Sequence, residues 1–358
     1  MRQLTGTRIF LTGATGFIGR RVLAVLKEQG ATILAPSRSA TGKKWLSGQG
    51  ALPIDASFDD QNSLVRAMSG CDLVIHLAYD IRASGTENLA VFKNILGAAR
   101  AAGVQGLVHT SSVVVYDDWP SGDISEASPI TPSGSAYRRA KIEMEQIARS
   151  QQLPVSIIQP TLVYGPGSSL WTTRFARALM QGGVVIPQDA GTAHLVYVDD
   201  VARAIVLAAG SLPTASGRYL ITGPSDARWP DYLSGLAEIL ETPPAKTEKL
   251  DTLIARAGPR PNLDAPPAAP SLAARVSAFG RRLVGHENFE RVAALASSFS
   301  GKSNTPLYPD HVLLDLYGCQ STVQITRAAK DLEYYPAFDL TKGLDATTSF
   351  LHDLRAKG

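Results

Sequence analysis

The feature that most narrows the fold is Thr12-Gly13-Ala14-Thr15-Gly16-Phe17-Ile18-Gly19, which joins a strand-like run, Arg8–Thr12, to a helix-like run over 20–29. The three glycines do different jobs at such a junction. Gly13 permits a tight turn, Gly16 lets backbone approach a diphosphate, and Gly19 lets helix and strand pack closely. The diphosphate would rest on the helix N-terminus, where free N–H groups and the dipole favour an anion. Spaced glycines alone are a weak signal, but the strand–turn–helix setting makes them specific, since a plain turn needs no such set.

The alternation continues along the chain. Thr32–Pro36 and residues 73–77, 107–110 and 155–159 read as buried strands, while Gln61–Met68 and residues 86–102 and 137–150 have helical length and spacing. The fold class this implies is α/β, a Rossmann-type doubly wound parallel sheet covered on both faces. A smaller C-terminal substrate-binding lobe is expected beside it. Residues 1–165 form the dinucleotide-binding domain, with 195–222 returning to it, and 166–194 with 223–358 form the lobe. Prolines and alanines cluster over 242–270, which reads as a linker or irregular lid within a lid-like insertion over 242–310. Leu272, Val276, Phe279 and Leu283 share one face of a short helix beside Arg275, Arg281 and Arg282. A lid helix is the favoured reading there, and a helix lying on a membrane surface the alternative.

Composition excludes other classes. A net charge of +3 over 358 residues is too mild to argue for a nucleic-acid partner. Two cysteines, Cys71 and Cys319, make no disulfide framework, and no Cys/His cluster suggests a metal. Cysteine usage fits a reducing compartment. No window supplies the ~18 apolar residues of a spanning helix, and glycines end the apolar run at 9–11 too early for a signal peptide. A soluble, cytoplasmic protein is expected.

The end of the second strand selects the dinucleotide. An NAD site places an acid there for the ribose 2′-hydroxyl, but this chain has Ala35-Pro36-Ser37-Arg38-Ser39. Arg38 can clasp a 2′-phosphate through its planar fork, with Ser37 or Ser39 adding a hydroxyl. NADP(H) is therefore expected, with NAD(H) the alternative should Arg38 be only a solvated loop residue. Asp55 is placed to accept from an adenine amino group, or else belongs to the N-terminal region of the next helix.

Tyr137 and Lys141 lie four residues apart and so share a helix face. A phenol near pKa 10 is a poor acid or base at neutrality. A neighbouring ammonium is expected to lower it and allow proton exchange with an alcohol or carbonyl oxygen. Ser111-Ser112-Val113-Val114-Val115-Tyr116 follows the 107–110 strand, at the carboxyl edge of the sheet where ligands bind. No Gly-x-Ser-x-Gly elbow surrounds Ser112, which excludes a hydrolase nucleophile.

With the glycine motif, these residues make the chain resemble the extended short-chain dehydrogenase/reductases, the NAD(P)-dependent epimerase/dehydratase superfamily. The resemblance extends to Val74-Ile75-His76-Leu77-Ala78, Asn94-Ile95-Leu96-Gly97, Pro160-Thr161-Leu162-Val163-Tyr164-Gly165-Pro166-Gly167 and Val196-Tyr197-Val198-Asp199-Asp200-Val201-Ala202. It implies that Tyr137 is the proton donor or acceptor and that Lys141 holds the nicotinamide ribose and tunes Tyr137. Ser112 would hydrogen-bond the reacting oxygen. Asn94 would support the lysine or its water chain, unless it is a structural helix asparagine. Thr15, Phe17, Ile18, Leu77, Ala78, Pro160, Leu162 and Val163 would border the cofactor. Homodimers through two long helices, here 86–102 and 137–150, are an implied possibility.

Several departures bear on substrate. Gln159 replaces a common Arg, which would remove a charge near the lobe; Leu162 replaces an Asn that often touches a sugar-nucleotide diphosphate; Tyr197 replaces a common His; and the segment 79–87 is short. These favour the branch resembling dihydroflavonol reductases and 3β-hydroxysteroid dehydrogenases. The expected activity is an NADP(H)-dependent ketone reductase or alcohol dehydrogenase acting on a bulky, mainly uncharged small molecule. A nucleotide-sugar epimerase or dehydratase that retains NAD(P) is the alternative enzyme, and a non-catalytic NADP-sensing protein the alternative of another class. Trp171, Phe175 and Met180 fall in the lobe, where ligand contact and packing read alike. His76 and His109 read as core or sheet-edge histidines, not bases, and His194, His286, His311 and His352 show no metal spacing.

Overall fold

The computed structural model describes residues 4–224, 227–262 and 305–357. Its strands are β1 (Arg8–Thr12), β2 (Thr32–Pro36), β3 (Leu52–Ile54), β4 (Leu73–His76), β5 (Gly106–Thr110), β6 (Val155–Pro160), β7 (Leu162–Tyr164), β8 (Val185–Pro187), β9 (Leu195–Tyr197), β10 (Gly217–Ile221) and β11 (Lys246–Glu248). Seven of them form one parallel sheet in the order β10-β6-β5-β4-β1-β2-β3. The order reverses between β1 and β4, and the crevice beyond their carboxyl ends is where such sheets take ligands.

Helices α1 (Phe17–Glu28), α2 (Ala40–Gly48), α3 (Gln61–Met68), α4 (Gly85–Ala101), α5 (Ala136–Arg149), α6 (Arg174–Gln181), α7 (Val198–Ser211), α8 (Trp229–Leu240) and α9 (Leu250–Ala257) follow, with further helices from His311 onward. Successive strand residues point to opposite faces, so each strand feeds two cores. Ile9, Leu11, Ile75, Val108 and Ile158 pack with Val22, Leu23 and Leu26 of α1 and Val201 and Ile205 of α7. Phe10, Val74, Leu107 and Ile157 pack on the other face with Leu64 of α3, Phe92 and Ile95 of α4 and Met144 of α5. Both faces being covered explains why the strands read as continuous apolar runs.

The 242–270 stretch is not uniformly irregular. Lys246–Glu248 pairs in parallel with β8, and α9 follows directly. A three-residue polar strand carries no periodic signal, and here Pro243, Pro244 and Pro259 flank the elements instead of interrupting them. The expected helix carrying Leu272, Val276, Phe279 and Leu283, and His286, lie outside the described residues. Among the described residues no helix is long and apolar enough to cross a membrane.

Candidate active site

Thr12 fastens the two strands that flank the crevice. Its buried hydroxyl lies 2.8 Å from His76 Nδ1 and accepts the Leu77 and Ala78 N–H groups, each at 3.2 Å. That draws the β4 loop against the glycine turn. A Cβ on Gly13, whose φ is +71°, would come within 2.9 Å of the Ala78 nitrogen, and one on Gly19 within 2.0 Å of the Gly13 oxygen. Both positions exclude any side chain without backbone movement. Gly16 caps α1 with extended backbone, no side chain caps the helix, and its first turn holds no acid. The N-terminus of α1 is therefore suited to an anion. Phe17 lies beside Gly167, where an added Cβ would stand 3.6 Å from its ring.

At the end of β2, Arg38 is exposed and makes no hydrogen bond or ion pair among the described residues. Ser39 is spent as the α2 cap, accepting from the Gly42 N–H at 2.9 Å, and Ser37 donates to the Ser39 carbonyl at 3.4 Å. Asp55 is ion-paired with Lys43, and the α3 cap is Asp60 instead. Arg20, not foreseen, donates to the Thr15 carbonyl at 2.9 Å and lies 4.6 Å from the Trp45 ring, closing the space between the glycine turn and α2.

The candidate reactive groups approach from two elements. Ser112 caps a single tight turn, Val113–Val115, directly beyond β5. Ser135 caps α5, which puts Tyr137 in the first turn and Lys141 one turn on. Lys141 is 4% exposed and its Nζ donates to the Thr110 carbonyl at 2.8 Å. Tyr137 is 38% exposed, large for an aromatic residue here, and the Ser112 hydroxyl is near enough to favour its phenolate.

Two further residues organise this cluster. Arg138, next to Tyr137, donates from Nε to the Val114 carbonyl at 2.9 Å and from Nη2 to the Val115 carbonyl at 3.0 Å. Its Nη1 reaches the Thr131 and Ser133 carbonyls at 2.9 and 2.7 Å, and the same guanidinium pairs with Asp117. It thereby staples the Ser112 turn to the start of α5. Tyr79, just past β4, lies with its ring 4.5 Å from Lys141 Nζ and meets the Tyr137 ring edge-on at 5.1 Å. Spacing offered no signal for either, because their partners are distant in sequence.

Burial sets the electrostatics. The Lys141 ammonium is brought down to about 8 by desolvation, with Glu145 pulling the other way. Tyr137 is pushed up to about 12, chiefly by desolvation; Ser112 opposes this and Tyr79 adds to it. The lowering expected from Lys141 is thus reversed: the ammonium sits 5.8 Å from the Tyr137 ring centroid and points at Thr110. His76 and His109 are core residues held neutral, His76 down at about 3.

Asn94, expected beside the lysine, instead donates to the Phe58 carbonyl at 2.9 Å and ties α4 to the loop before α3. Gln159 does not face the lobe. It is fully buried, accepting from the Tyr116 hydroxyl at 2.7 Å and donating to Glu145 at 2.8 Å, while Arg218 neutralises Glu145 at 2.6 Å. Pro160, Leu162 and Val163 are buried where β6 passes into β7. Tyr197 packs on Phe338 at 4.4 Å, and Phe175 is fully buried, which removes it as a ligand contact. Trp171 and Met180 are only partly buried against the same core.

Residues 9–221 match the family model described as the NAD dependent epimerase/dehydratase family. A 4-hydroxy-2-methyl-3-oxo-4-farnesyl-3,4-dihydroquinoline-1-oxide ketoreductase of Stigmatella aurantiaca is 27% identical, the match covering 67% of this chain and 75% of that protein. A putative dihydroflavonol 4-reductase of Synechocystis sp. is 31% identical over 66% of this chain and 74% of its own length. Among solved structures, a Bacillus cereus UDP-glucuronic acid 4-epimerase in complex with NAD superposes with a TM-score of 0.66 at 20% identity, covering 97% of this chain and 99% of that one.

Proposed function

Because the chain belongs to the NAD-dependent epimerase/dehydratase family, whose members are NAD(P)-dependent enzymes, we propose that it is an NADP(H)-dependent reductase of bulky, mainly uncharged ketones, or the corresponding alcohol dehydrogenase. The observation that carries this reading is the convergence of Ser112, Tyr137 and Lys141 at the carboxyl edge of β5, beside a glycine turn that admits no Cβ. The residues suit the dinucleotide. The α1 N-terminus takes the diphosphate, Lys141 the nicotinamide ribose, and the unpaired Arg38 a 2′-phosphate. The bound nicotinamide supplies or accepts the hydride at the carbonyl carbon.

This chain's residues manage the proton. Ser112 hydrogen-bonds the substrate oxygen, and the Tyr137 hydroxyl donates its proton to that oxygen as negative charge develops there. In the reverse direction Tyr137 accepts it. Lys141, cationic below about pH 8, favours the phenolate left behind. Tyr137 as phenolate would be favoured further by the positive charge of oxidised nicotinamide when bound. The names of the ketoreductase and dihydroflavonol reductase relatives support a bulky carbonyl substrate. So does Leu162, apolar and buried, which offers a sugar-nucleotide diphosphate no donor.

The test combines binding and turnover. NADPH fluorescence should change on binding at lower concentration than NADH, and a panel of dihydroflavonols and 3-ketosteroids should oxidise NADPH stoichiometrically. Equal or tighter NADH binding rejects the Arg38 assignment. Conversion of UDP-sugars without net NADPH loss rejects the reductase in favour of an epimerase.

A further inference from the structure

Tyr79 belongs to none of the motifs, yet its ring touches both halves of the proton-transfer pair. It lies 4.5 Å from Lys141 Nζ, nearer than the Tyr137 ring at 5.8 Å, and it abuts Tyr137 edge-on. A cation over an aromatic face is attracted by the ring quadrupole, and more so out of water. Lys141 has few other ways to satisfy its charge. Thr110 offers one carbonyl; Glu145 is one turn further along α5 and is already engaged by Gln159 and Arg218. Facing the ammonium from β4 and β5 are His76 and His109, both kept neutral and so no counter-charge.

The loop bearing Tyr79 is firmly held. The Asn88 amide donates to the Asp80 and Ser84 carbonyls at 2.8 and 3.1 Å and accepts from the Asp80 N–H at 2.8 Å. Ser84 and Glu87 cap α4 reciprocally just beyond. The backbone bearing the ring is therefore held from α4, and the ring can act as a wall for residues on α5.

We propose that Tyr79 is a positioning residue: its ring holds the Lys141 ammonium against the Thr110 carbonyl and backs the Tyr137 phenol so that the hydroxyl stays on Ser112. This rests on the reading of Ser112, Tyr137 and Lys141 given above. The contact uses the ring and not the hydroxyl, so phenylalanine should serve as well.

Two readouts test it. In the dinucleotide-free protein, Lys141 should acetylate with acetic anhydride at least about fivefold faster in Tyr79→Leu, by peptide mass spectrometry, and at the wild-type rate in Tyr79→Phe. With a ketone from the panel, kcat should fall about tenfold in Tyr79→Leu, more than KM or the NADPH Kd changes, since a small misplacement of a proton donor costs rate steeply. Tyr79→Phe should restore kcat to within about twofold. Tyr79→Met, which fills the space without a ring, replaces Leu if that variant melts early, and carries the same expectation. Wild-type acetylation and kcat in the Leu or Met variant overturn the proposal, as does a Phe variant as impaired as Leu. Tyr137→Phe in the same assay separates the two readings: if it stays active, the whole site assignment falls. If it is inactive while Tyr79→Leu matches wild type, only the role of Tyr79 falls.

Discussion

Lys141 and Tyr137 share one face of α5, yet the ammonium donates to the Thr110 carbonyl at 2.8 Å and stands 5.8 Å from the centre of the phenol ring. Desolvation, with Tyr79 adding and Ser112 opposing, pushes Tyr137 up to about 12. Difference absorbance between wild type and Tyr137→Phe should accordingly show no phenolate up to pH 10. Adding NADP+ should bring the signal down in pH, by placing a second positive charge at the site. In turnover, Tyr137→Phe should lose about 10²–10⁴ in kcat, the range for removing a general acid, with NADPH binding retained.

Arg38 supplies an exposed guanidinium at the end of β2, unpaired among the described residues. Arg38→Ser should weaken NADPH binding by about 10- to 100-fold, corresponding to one or two charge-assisted hydrogen bonds. NADH binding should change by less than about twofold, because its ribose carries no phosphate. Fluorescence titration of both dinucleotides checks this.

Arg138 holds the Ser112 turn through the Val114 and Val115 carbonyls and is only 13% exposed. Arg138→Met should lower stability by about 2 kcal/mol, leaving the Val114 and Val115 carbonyls without their donor and Asp117 without its cation, held among the described residues only by Thr131. It should also lower kcat by about 10²-fold if the serine moves by an ångström. Arg138→Lys should recover little of either, since a point charge cannot replace a planar fork. Thermal melts and kinetics measured together separate the two effects.

Gly19→Ala should give insoluble protein or abolish dinucleotide binding, its Cβ falling 2.0 Å from the Gly13 oxygen. Gly48→Ala is the control: it lies on α2 with open space around it and should be neutral or slightly stabilising. Circular dichroism and NADPH titration of both variants decide this.

His76 is held neutral down to about pH 3, first by burial and then by Lys141. Between 6.5 and 3 the unfolded chain binds a proton that the folded chain refuses, so stability is lost as pH falls through that window. The slope per histidine is about 1.4 kcal/mol per pH unit once the unfolded form is fully protonated. His76→Asn, which keeps an acceptor for Thr12, should therefore show a shallower fall in Tm between pH 6.5 and 5. His109, lowered for the same reason, keeps the slope from vanishing.

The parallel sheet was readable because it rests on local rules. Gly13 and Gly19 mark one strand–helix junction, and runs such as 73–76 are apolar on both faces because both are covered. The elements that escaped notice lack such rules. Helix α2 begins with Gly42 in its first turn and is stabilised by the Ser39 cap, and β11 is Lys-Thr-Glu, made a strand only by its partner β8. The reactive Tyr137/Lys141 spacing was legible because i and i+4 meet on any helix. Where the ammonium would point was not, since that depends on Thr110, thirty-one residues away in sequence.

By itself, then, the order of residues determined the glycine turn, the alternation of strand and helix, and which side chains lie one helical turn apart, all consequences of short-range sterics and periodicity. Only the tertiary structure decided that Asn94 serves Phe58, that Asp55 pairs with Lys43, that Gln159 is buried, that Tyr79 lies against Lys141, and that Arg138 bonds the Ser112 turn. Each of those is a contact between segments whose distance in space no local preference encodes.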